Sequence, residues 1–385
     1  MTASVQPPNL CVLIPKHELG AIVDRIQQLG YRTIGPHAVD GAIVYGEIDS
    51  ADDLPQGYLD SQDGGYYRLQ RDEQAGMFDF VVGPDSLKNF VFPPSDTVLR
   101  ADRNNGSWEM TQPEAPSERI AVIGVRSCDL HALAISDRVF LEGPYVDNAY
   151  EARRKNLFLV AVNCRRAAAT CFCHSMDTGP AVGGGFDLAL TELDDSFVVE
   201  AGSERGEQLL NDGGWPACPT EVLGQARAQS AALESDMRAR TEVATSSGDT
   251  HRQRSLDTDD IRNLLMGNLD HERWEEVGHR CLACANCTMV CPTCFCSTVE
   301  EVSDLTGDHV TRERSWASCF TAEHSYMSSG TVRKSIGARY RQWLTHKLAS
   351  WHDQFDTSGC TGCGRCITWC PVAIDLTEEV AAIRG

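Results

Sequence analysis

Two cysteine runs with the same spacing constrain the fold and chemistry of this chain more than any other feature. Each has the form Cys-x2-Cys-x2-Cys-x3-Cys-Pro, at residues 281–292 and 360–371. In this pattern three close cysteines bind one 4Fe-4S cluster, and the cysteine before the proline binds the other cluster. We therefore predict two clusters with crossed ligands: the first bound by Cys281, Cys284, Cys287 and Cys370, the second by Cys291, Cys360, Cys363 and Cys366.

A pair of zinc knuckles is the alternative for these runs. Zinc sites usually have two Cys-x2-Cys pairs, without a third regularly spaced cysteine or a following proline. Seventeen cysteines are present in all, and the chain shows neither a signal peptide nor an apolar stretch long enough to span a bilayer. Because reducing compartments keep thiols free, we expect a cytoplasmic protein that uses its cysteines for metal or redox chemistry.

The charge of the chain restricts its partners. Asp and Glu number 55 against 34 Lys and Arg, which gives a formal net charge of -21 over 385 residues. Such a charge repels phosphate backbones and anionic lipids. We expect neither nucleic acid nor a membrane among its ligands.

The amino-terminal half has the pattern of an α/β domain with a mixed or parallel sheet. Residues 119–125 and 157–162 are apolar runs typical of buried strands, and residues 129–140 between them have helical spacing. A right-handed parallel crossover is expected from this order. Cys128 and Cys164 would then follow the carboxyl ends of the two strands, where open α/β sheets bind ligands.

A short cysteine segment, Thr-Cys-Phe-Cys-His at residues 170–174, follows within ten residues of Cys164. We predict that four thiols converge here on a third 4Fe-4S cluster, namely Cys128, Cys164, Cys171 and Cys173. A structural zinc ion and ordinary buried thiols are the alternatives. Three neighbours could contact the site or replace a ligand: Asp129, His131 and His174.

Five cysteines remain. Cys11 and Cys218 are expected to be structural, and three are left without a role: Cys294, Cys296 and Cys319. Residues 293–296 have the same sequence, Thr-Cys-Phe-Cys, as residues 170–173. Iron–sulfur clusters normally take four protein ligands, and only three thiols are available. Two possibilities remain for these cysteines: a fourth cluster, or an exchange of ligands between the two halves of the chain.

The predicted organisation is an α/β domain over 1–240, a linker over 241–257 and an alpha-helical two-cluster ferredoxin domain over 258–385. Helical spacing is found over 331–355 and after a cap at Asp257 or Thr258. The 331–355 segment is basic in an otherwise acidic chain. Tuning of a cluster potential, docking of an acidic partner and a solvated surface are the three interpretations.

Several longer segments carry a family resemblance, among them VRSCDLHAL, TCFCHSMDTGP, ARYRQWLTHKL and SGCTGCGRCITWCPVAIDLTEE. They resemble the beta subunit of the multisubunit cytoplasmic sulfhydrogenases, which are NAD(P)-linked nickel–iron hydrogenases. The chain is also similar to a related iron–sulfur subunit of anaerobic sulfite reductase, and its helical ferredoxin part resembles modules of succinate dehydrogenase and heterodisulfide reductase. The resemblance runs from about residue 75 to the end and is weak before it.

The resemblance implies an iron–sulfur subunit that passes electrons between a flavin-bearing, NAD(P)-binding diaphorase subunit and a hydrogenase small subunit, whose large subunit holds the nickel–iron site. The alternative is the same relay in an anaerobic sulfite or sulfur reductase. We find no dinucleotide fingerprint, P-loop, nucleophile triad or zincin motif. Catalysis is therefore expected on partner subunits, with no catalytic residue here. A flavin at the amino-terminal strand ends and an iron–sulfur sensor or zinc scaffold are weaker alternatives.

Overall fold

The structure, a computed structural model, describes residues 10–244 and 250–385. Its amino-terminal part alternates strands and helices. The strands are β1 (Cys11–Pro15), β2 (Arg32–Val39), β3 (Ala42–Glu47), β4 (Tyr58–Asp63), β5 (Tyr66–Arg71), β6 (Ser95–Asn104), β7 (Ser107–Thr111), β8 (Ile120–Val125), β9 (Leu157–Val162), β10 (Leu188–Glu192) and β11 (Ser196–Ala201). The helices are α1 (Leu19–Gln28), α2 (Lys88–Val91), α3 (Ser127–Phe140), α4 (Asn148–Lys155), α5 (Glu204–Gly213) and α6 (Thr220–Ala239).

The carboxyl-terminal part has shorter elements. Its strands are β12 (Glu242–Ala244), β13 (Thr250–Arg252), β14 (Ser297–Ser303), β15 (His309–Trp316), β16 (Tyr326–Met327) and β17 (Gly330–Thr331). Its helices are α7 (Ile261–Gly267), α8 (Arg273–Arg280), α9 (Asn286–Met289), α10 (Ile336–Thr345), α11 (Trp351–Phe355), α12 (Arg365–Thr368) and α13 (Leu376–Arg384), with a π-helical turn at His346–Ser350 between α10 and α11. Among the described helices, none is long and apolar enough to cross a membrane.

A seven-stranded mixed sheet forms the centre of the amino-terminal part, in the order β1-β11-β10-β9-β8-β2-β3. Strands β2, β8, β9 and β10 pair in parallel, and the remaining pairs are antiparallel. Every residue of β8 and β9 is buried. Strands covered on both faces are apolar throughout rather than alternating, which is why these two were recognisable from the sequence. The predicted sheet with parallel strands is confirmed.

A second sheet joins the two parts of the chain. Strand β15, from the segment between the cysteine runs, pairs antiparallel with β6, and the sheet order is β14-β15-β6-β7. The strands of this sheet were not recognisable from the sequence because they are mostly exposed and polar, with β7 and β14 exposed along their whole length. The usual sequence signal of a strand is an alternation of apolar and polar residues, which arises when one face is buried. These strands have no buried face, so the alternation is missing. The predicted helical surroundings of the cysteine runs therefore include a hairpin.

The two predicted helices of the carboxyl-terminal part differ from the structure at their starts. Helix α10 begins at Ile336, where the Ser335 side chain accepts a hydrogen bond from the Ala338 amide, five residues later than expected. Helix α7 begins at Ile261 after Asp260, and neither Asp257 nor Thr258 is its N-cap. Since helices and strands are mixed in this region, the alpha-helical class of ferredoxin module stays a prediction.

The predicted linker over 241–257 is packed against the rest of the chain where it is described. Strands β12 and β13 form a hairpin, and the residues between them, 245–249, lie outside the described residues. Gln253 and Arg254 are buried, and the Gln253 side-chain amide donates to the carbonyl of Cys171 at 2.6 Å. The boundary at this segment stays a prediction.

Candidate metal centres

The first cavity lies at the start of the first cysteine run. Its volume is about 460 Å³, and it is lined by the four thiols predicted for the first cluster: Cys281, Cys284, Cys287 and Cys370. Apolar side chains form the rest of its wall, among them Phe320, Tyr340 and Trp343. Burial, and then the neighbouring thiols of the same set, raise the pKa of Cys287 well above its ordinary value. The set therefore comes together around one largely apolar cavity, at which Cys284 is the exposed member.

The second cavity, of about 290 Å³, is lined by the four thiols predicted for the second cluster: Cys291, Cys360, Cys363 and Cys366. Burial raises the pKa of Cys360 to about 12. Phe172, from the amino-terminal cysteine segment, and Lys347 also line this cavity. The two parts of the chain thus meet at the second set of thiols.

Both cysteine runs curl in the same way between their first and third cysteines. Ala283 and Ala285 have φ of 50° and 67°, and at the equivalent positions Gly362 and Gly364 have φ of 62° and 77°. Left-handed conformations turn backbone amides inward, towards the space that the thiols surround. Three amides donate to sulfur: Ala283 N to Cys281 Sγ at 3.4 Å, Gly362 N to Cys360 Sγ at 3.4 Å, and Ile374 N to Cys370 Sγ at 3.3 Å.

These features fit a 4Fe-4S cluster at each cavity. Each iron of the cube takes one thiolate, so the four sulfur atoms stand apart around the cube, and N–H donors stabilise their negative charge. Among residues 10–244 and 250–385, no three or more His, Cys, Asp or Glu side chains are arranged to hold a single metal ion. The thiols surround a volume instead of closing on one point.

The amino-terminal thiols gather at the carboxyl ends of β8 and β9. Cys128 lies in the first turn of α3, directly after β8, and Cys164 follows β9. Burial is the main reason that the pKa of Cys173 is raised, and the nearby thiols of Cys171 and Cys164 add to it. Cys128, Cys171 and Cys173 pack in one buried cluster. Cys164 adjoins it, since burial and then the thiol of Cys164 raise the pKa of Cys171. The structure thus brings all four predicted residues together.

Cys363 joins this third set, which the sequence did not predict. After burial, its thiol is one of the neighbours that raise the pKa of Cys128, Cys171 and Cys173. The same residue lines the second cavity. The second and third sets of thiols are therefore adjacent.

Two glycines make this close approach possible. The Phe172 amide donates to the Gly362 carbonyl at 2.8 Å, and a Cβ atom on Gly362 would lie 2.6 Å from the Phe172 carbonyl. A Cβ on Gly364 would lie 2.4 Å from the carbonyl oxygen of Thr170. At both glycines a side chain is disfavoured for two reasons: φ is positive, and the backbone of the neighbouring segment is in direct contact.

The three residues considered as substitute ligands have different surroundings. Asp129 is fully buried and forms an ion pair with Arg365 at 2.8 Å. His131 Nδ1 lies 2.9 Å from the carbonyl oxygen of Ser127. His174 is buried, and within the described ranges its Nδ1 has no hydrogen-bond partner. Asp129 thus positions the second cysteine run through Arg365.

The basic segment before the second run contains one cation that points at a cysteine. Lys347, in the π-helical turn, is 2% exposed and donates to Cys291 Sγ at 3.2 Å. Arg339 and Arg341 instead donate to backbone carbonyls near the surface. Of the three interpretations of this segment, the contact of Lys347 favours tuning of a cluster.

The family model of the 4Fe-4S dicluster domain matches residues 280–374, which include both cysteine runs. The chain is thus of the class of iron–sulfur electron-transfer subunits. It is similar to sulfhydrogenase 2 subunit beta of Pyrococcus furiosus, with 28% identity over 364 residues that cover 94% of each chain. The resemblance predicted from the sequence is confirmed, and it extends into the first 75 residues, where little of it was expected. No solved structure matches the chain.

Proposed function

We propose that this chain relays electrons through three 4Fe-4S clusters between a flavin-bearing, NAD(P)-binding diaphorase subunit and a nickel–iron hydrogenase module. The ligands would be the thiols of the two cavities and of the amino-terminal set, as assigned above. A bound 4Fe-4S cluster takes up and releases one electron at a time. The residues of this chain bind, insulate and tune the clusters.

The contiguity of the three thiol sets carries the proposal. Cys363 lines the second cavity and packs against the buried cluster that contains Cys128, Cys171 and Cys173 of the third set. Cys366 lines both the first and the second cavity. Bound clusters would therefore form an unbroken series from the carboxyl ends of β8 and β9 to the first cysteine run.

The surroundings of the two ends suit a relay. Cys284 in the first set is exposed, and Leu282 beside it is 62% exposed. A cluster held there would reach the surface, where a partner can exchange electrons with it. In the third set, Cys128, Cys171 and Cys173 are buried and Cys164 is partly buried. The series is open at the first cysteine run.

The hydrogenase assignment rests on the similarity to a chain named as a sulfhydrogenase subunit. The same series of clusters could relay electrons in an anaerobic sulfite or sulfur reductase. The chain is tagged and purified without oxygen from its native host. It should co-purify with a complex that contains nickel and reduces NAD(P) with hydrogen. Siroheme without nickel in that complex would overturn the hydrogenase assignment and leave the electron relay standing.

A further inference from the structure

Two cysteines outside the three thiol sets, Cys11 and Cys218, face each other at the edge of the seven-stranded sheet. The Cys218 amide donates to the Cys11 carbonyl at 2.8 Å, and the next residues along, Val12 and Ala217, form an antiparallel bridge. In an antiparallel pair, residues on either side of such a bridge also stand opposite each other, with their side chains on one face. The fold thus brings together two cysteines that are far apart in the chain.

The alternation of β1 places this pair on the outer face of the sheet. Val12 and Ile14 are buried in the core, whereas Cys11 is only partly buried. Successive side chains of a strand point to opposite faces, so the Cys11 thiol points away from the core. Cys218 is also partly buried, and its thiol donates to the Pro219 carbonyl at 3.6 Å near the surface. Small molecules in solution can therefore reach the pair.

The two thiols interact with each other and do not complete a metal site. Burial raises the pKa of Cys11 well above its ordinary value, and the charge of the Cys218 thiol and a hydrogen bond with it raise it further. Glu200, opposite Cys11 in β11, pairs with Arg227 at 3.1 Å. Two thiols beside a carboxylate that is already paired lack the four donors of a structural zinc site. The chemistry left to the pair is that of a dithiol.

We propose that Cys11 and Cys218 form a reversible thiol–disulfide site, oxidised by a low-molecular-weight disulfide. One cysteine, as the thiolate, attacks a sulfur of the oxidant, forms a mixed disulfide and releases the first reduced thiol. The second cysteine attacks the protein sulfur of that mixed disulfide, which forms the Cys11–Cys218 bond and releases the second reduced thiol. The two protein thiols lose two electrons and two protons, and the oxidant takes up both.

The backbone geometry suits this bond. Directly opposite residues of an antiparallel pair have Cα atoms about 4.5 to 5.5 Å apart, within the range that a disulfide spans. The bond would tie β1, at the edge of the sheet, to the segment before α6. It would close a loop that contains most of the amino-terminal part, and long loops gain the most from a cross-link. Disulfides in reducing compartments are mostly transient and redox-sensing, so the site would respond to the thiol–disulfide balance around the protein.

The test uses the full chain with its clusters, kept free of oxygen and equilibrated with reduced and oxidised glutathione in varied ratio. Free thiols are then alkylated in acid, and the peptides are identified by mass spectrometry. Oxidising ratios should yield a peptide pair linked through Cys11 and Cys218, and reducing ratios should remove it. Cys11→Ser and Cys218→Ser each leave one thiol without its partner, and that thiol should instead carry glutathione as a mixed disulfide. Iron content should be the same in all three proteins, because neither cysteine belongs to a cluster.

Denaturant unfolding gives a second, independent readout. The unfolding midpoint of the natural chain should rise on oxidation, whereas neither serine variant should show this rise. Separate glutathione adducts on Cys11 and Cys218 in the natural chain would overturn the proposal, since a facing pair closes faster than it accumulates adducts. Two free thiols at the most oxidising ratio would overturn it as well. The proposal does not depend on the proposed electron relay, and iron analysis keeps the two questions apart.

Discussion

Asp129 and Arg365 form a fully buried ion pair, 2.8 Å apart, between the first turn of α3 and the second cysteine run. Asp129 directly follows Cys128, and Arg365 lies between Cys363 and Cys366. The Arg365 guanidinium also donates to the carbonyls of residues 83 and 85, so its donors are shared among several segments. The pair holds the third set of thiols against the second.

Removing one partner of this pair should destabilise the chain strongly. Asp129→Asn leaves a buried guanidinium without its carboxylate, which costs about 3–5 kcal/mol. Denaturant unfolding of the cluster-loaded chain measures the loss. The control is Asp353→Asn, which removes an exposed ion pair with Arg262 and should change little. Equal losses in the two variants would contradict the assigned role of the buried pair.

The first and second clusters should each depend on single thiols. Cys284→Ala and Cys363→Ala should each lower the iron content by about four atoms per chain and destabilise the carboxyl-terminal part, because cluster binding contributes to folding. Iron analysis and thermal unfolding check this, with Cys218→Ala as the control. Full iron content in either variant would refute its ligand assignment.

The third cluster can be tested by combining substitutions. Cys128→Ala and Cys171→Ala should each lose about four irons, and the double variant should lose no more than either alone, because both remove ligands of one cluster. Iron and sulfide analysis distinguishes this result from additive losses. No loss in the single variants would mean that these buried thiols are structural.

Lys347 should set the potential of the second cluster. Lys347→Met removes both the ammonium charge and the hydrogen bond to Cys291 Sγ, and both favour the reduced cluster. We expect the midpoint potential to fall by roughly 60 mV, the one-electron equivalent of about 1.4 kcal/mol. EPR-monitored redox titration measures the shift, and Lys347→Arg should recover part of it. An unchanged potential would mean that Lys347 acts on stability alone.

The contact between the second run and the amino-terminal cysteine segment should not tolerate a methyl group. Gly362→Ala adds a Cβ that would lie 2.6 Å from the Phe172 carbonyl, in addition to the strain of a positive φ. Gly307→Ala is the matched control, since Gly307 has φ of 71° and open space around its Cα. The control should cost about 1 kcal/mol, from the left-handed conformation alone, and Gly362→Ala clearly more. Equal costs would show that the backbone contact can relax.

Several features could be predicted because they depend on local spacing. The sequence intervals of each cysteine run, and the Cys-Pro step that turns the fourth thiol away, predicted which eight thiols line the two cavities, although Cys366 lines both. The apolar stretches of β8 and β9 predicted the parallel strands, and with them the place of Cys128 and Cys164. The helix starts were missed by a few residues, because a cap at Ser335 or Asp260 competes with other polar residues nearby.

Other features depend on residues that are far apart in the chain. The pairing of β6 with β15 leaves no periodic signal, and neither does the meeting of Asp129 with Arg365 across 236 positions. The approach of Lys88 to Cys294 depends on the same folding of the amino-terminal part over the cysteine runs. Nothing in the local sequence at Lys88 distinguishes it from a surface lysine.

Local spacing along the chain was thus enough to predict a 4Fe-4S dicluster domain and to point to the eight thiols that line its two cavities. Short-range covalent spacing is sufficient for that, since ligands three residues apart can reach only one cube. How the thiol sets adjoin, which cations are buried beside them and where Cys294, Cys296 and Cys319 lie are set by the folded arrangement. Those relationships follow from packing between distant segments, where burial excludes water and makes each charge depend on the partners that the fold brings to it.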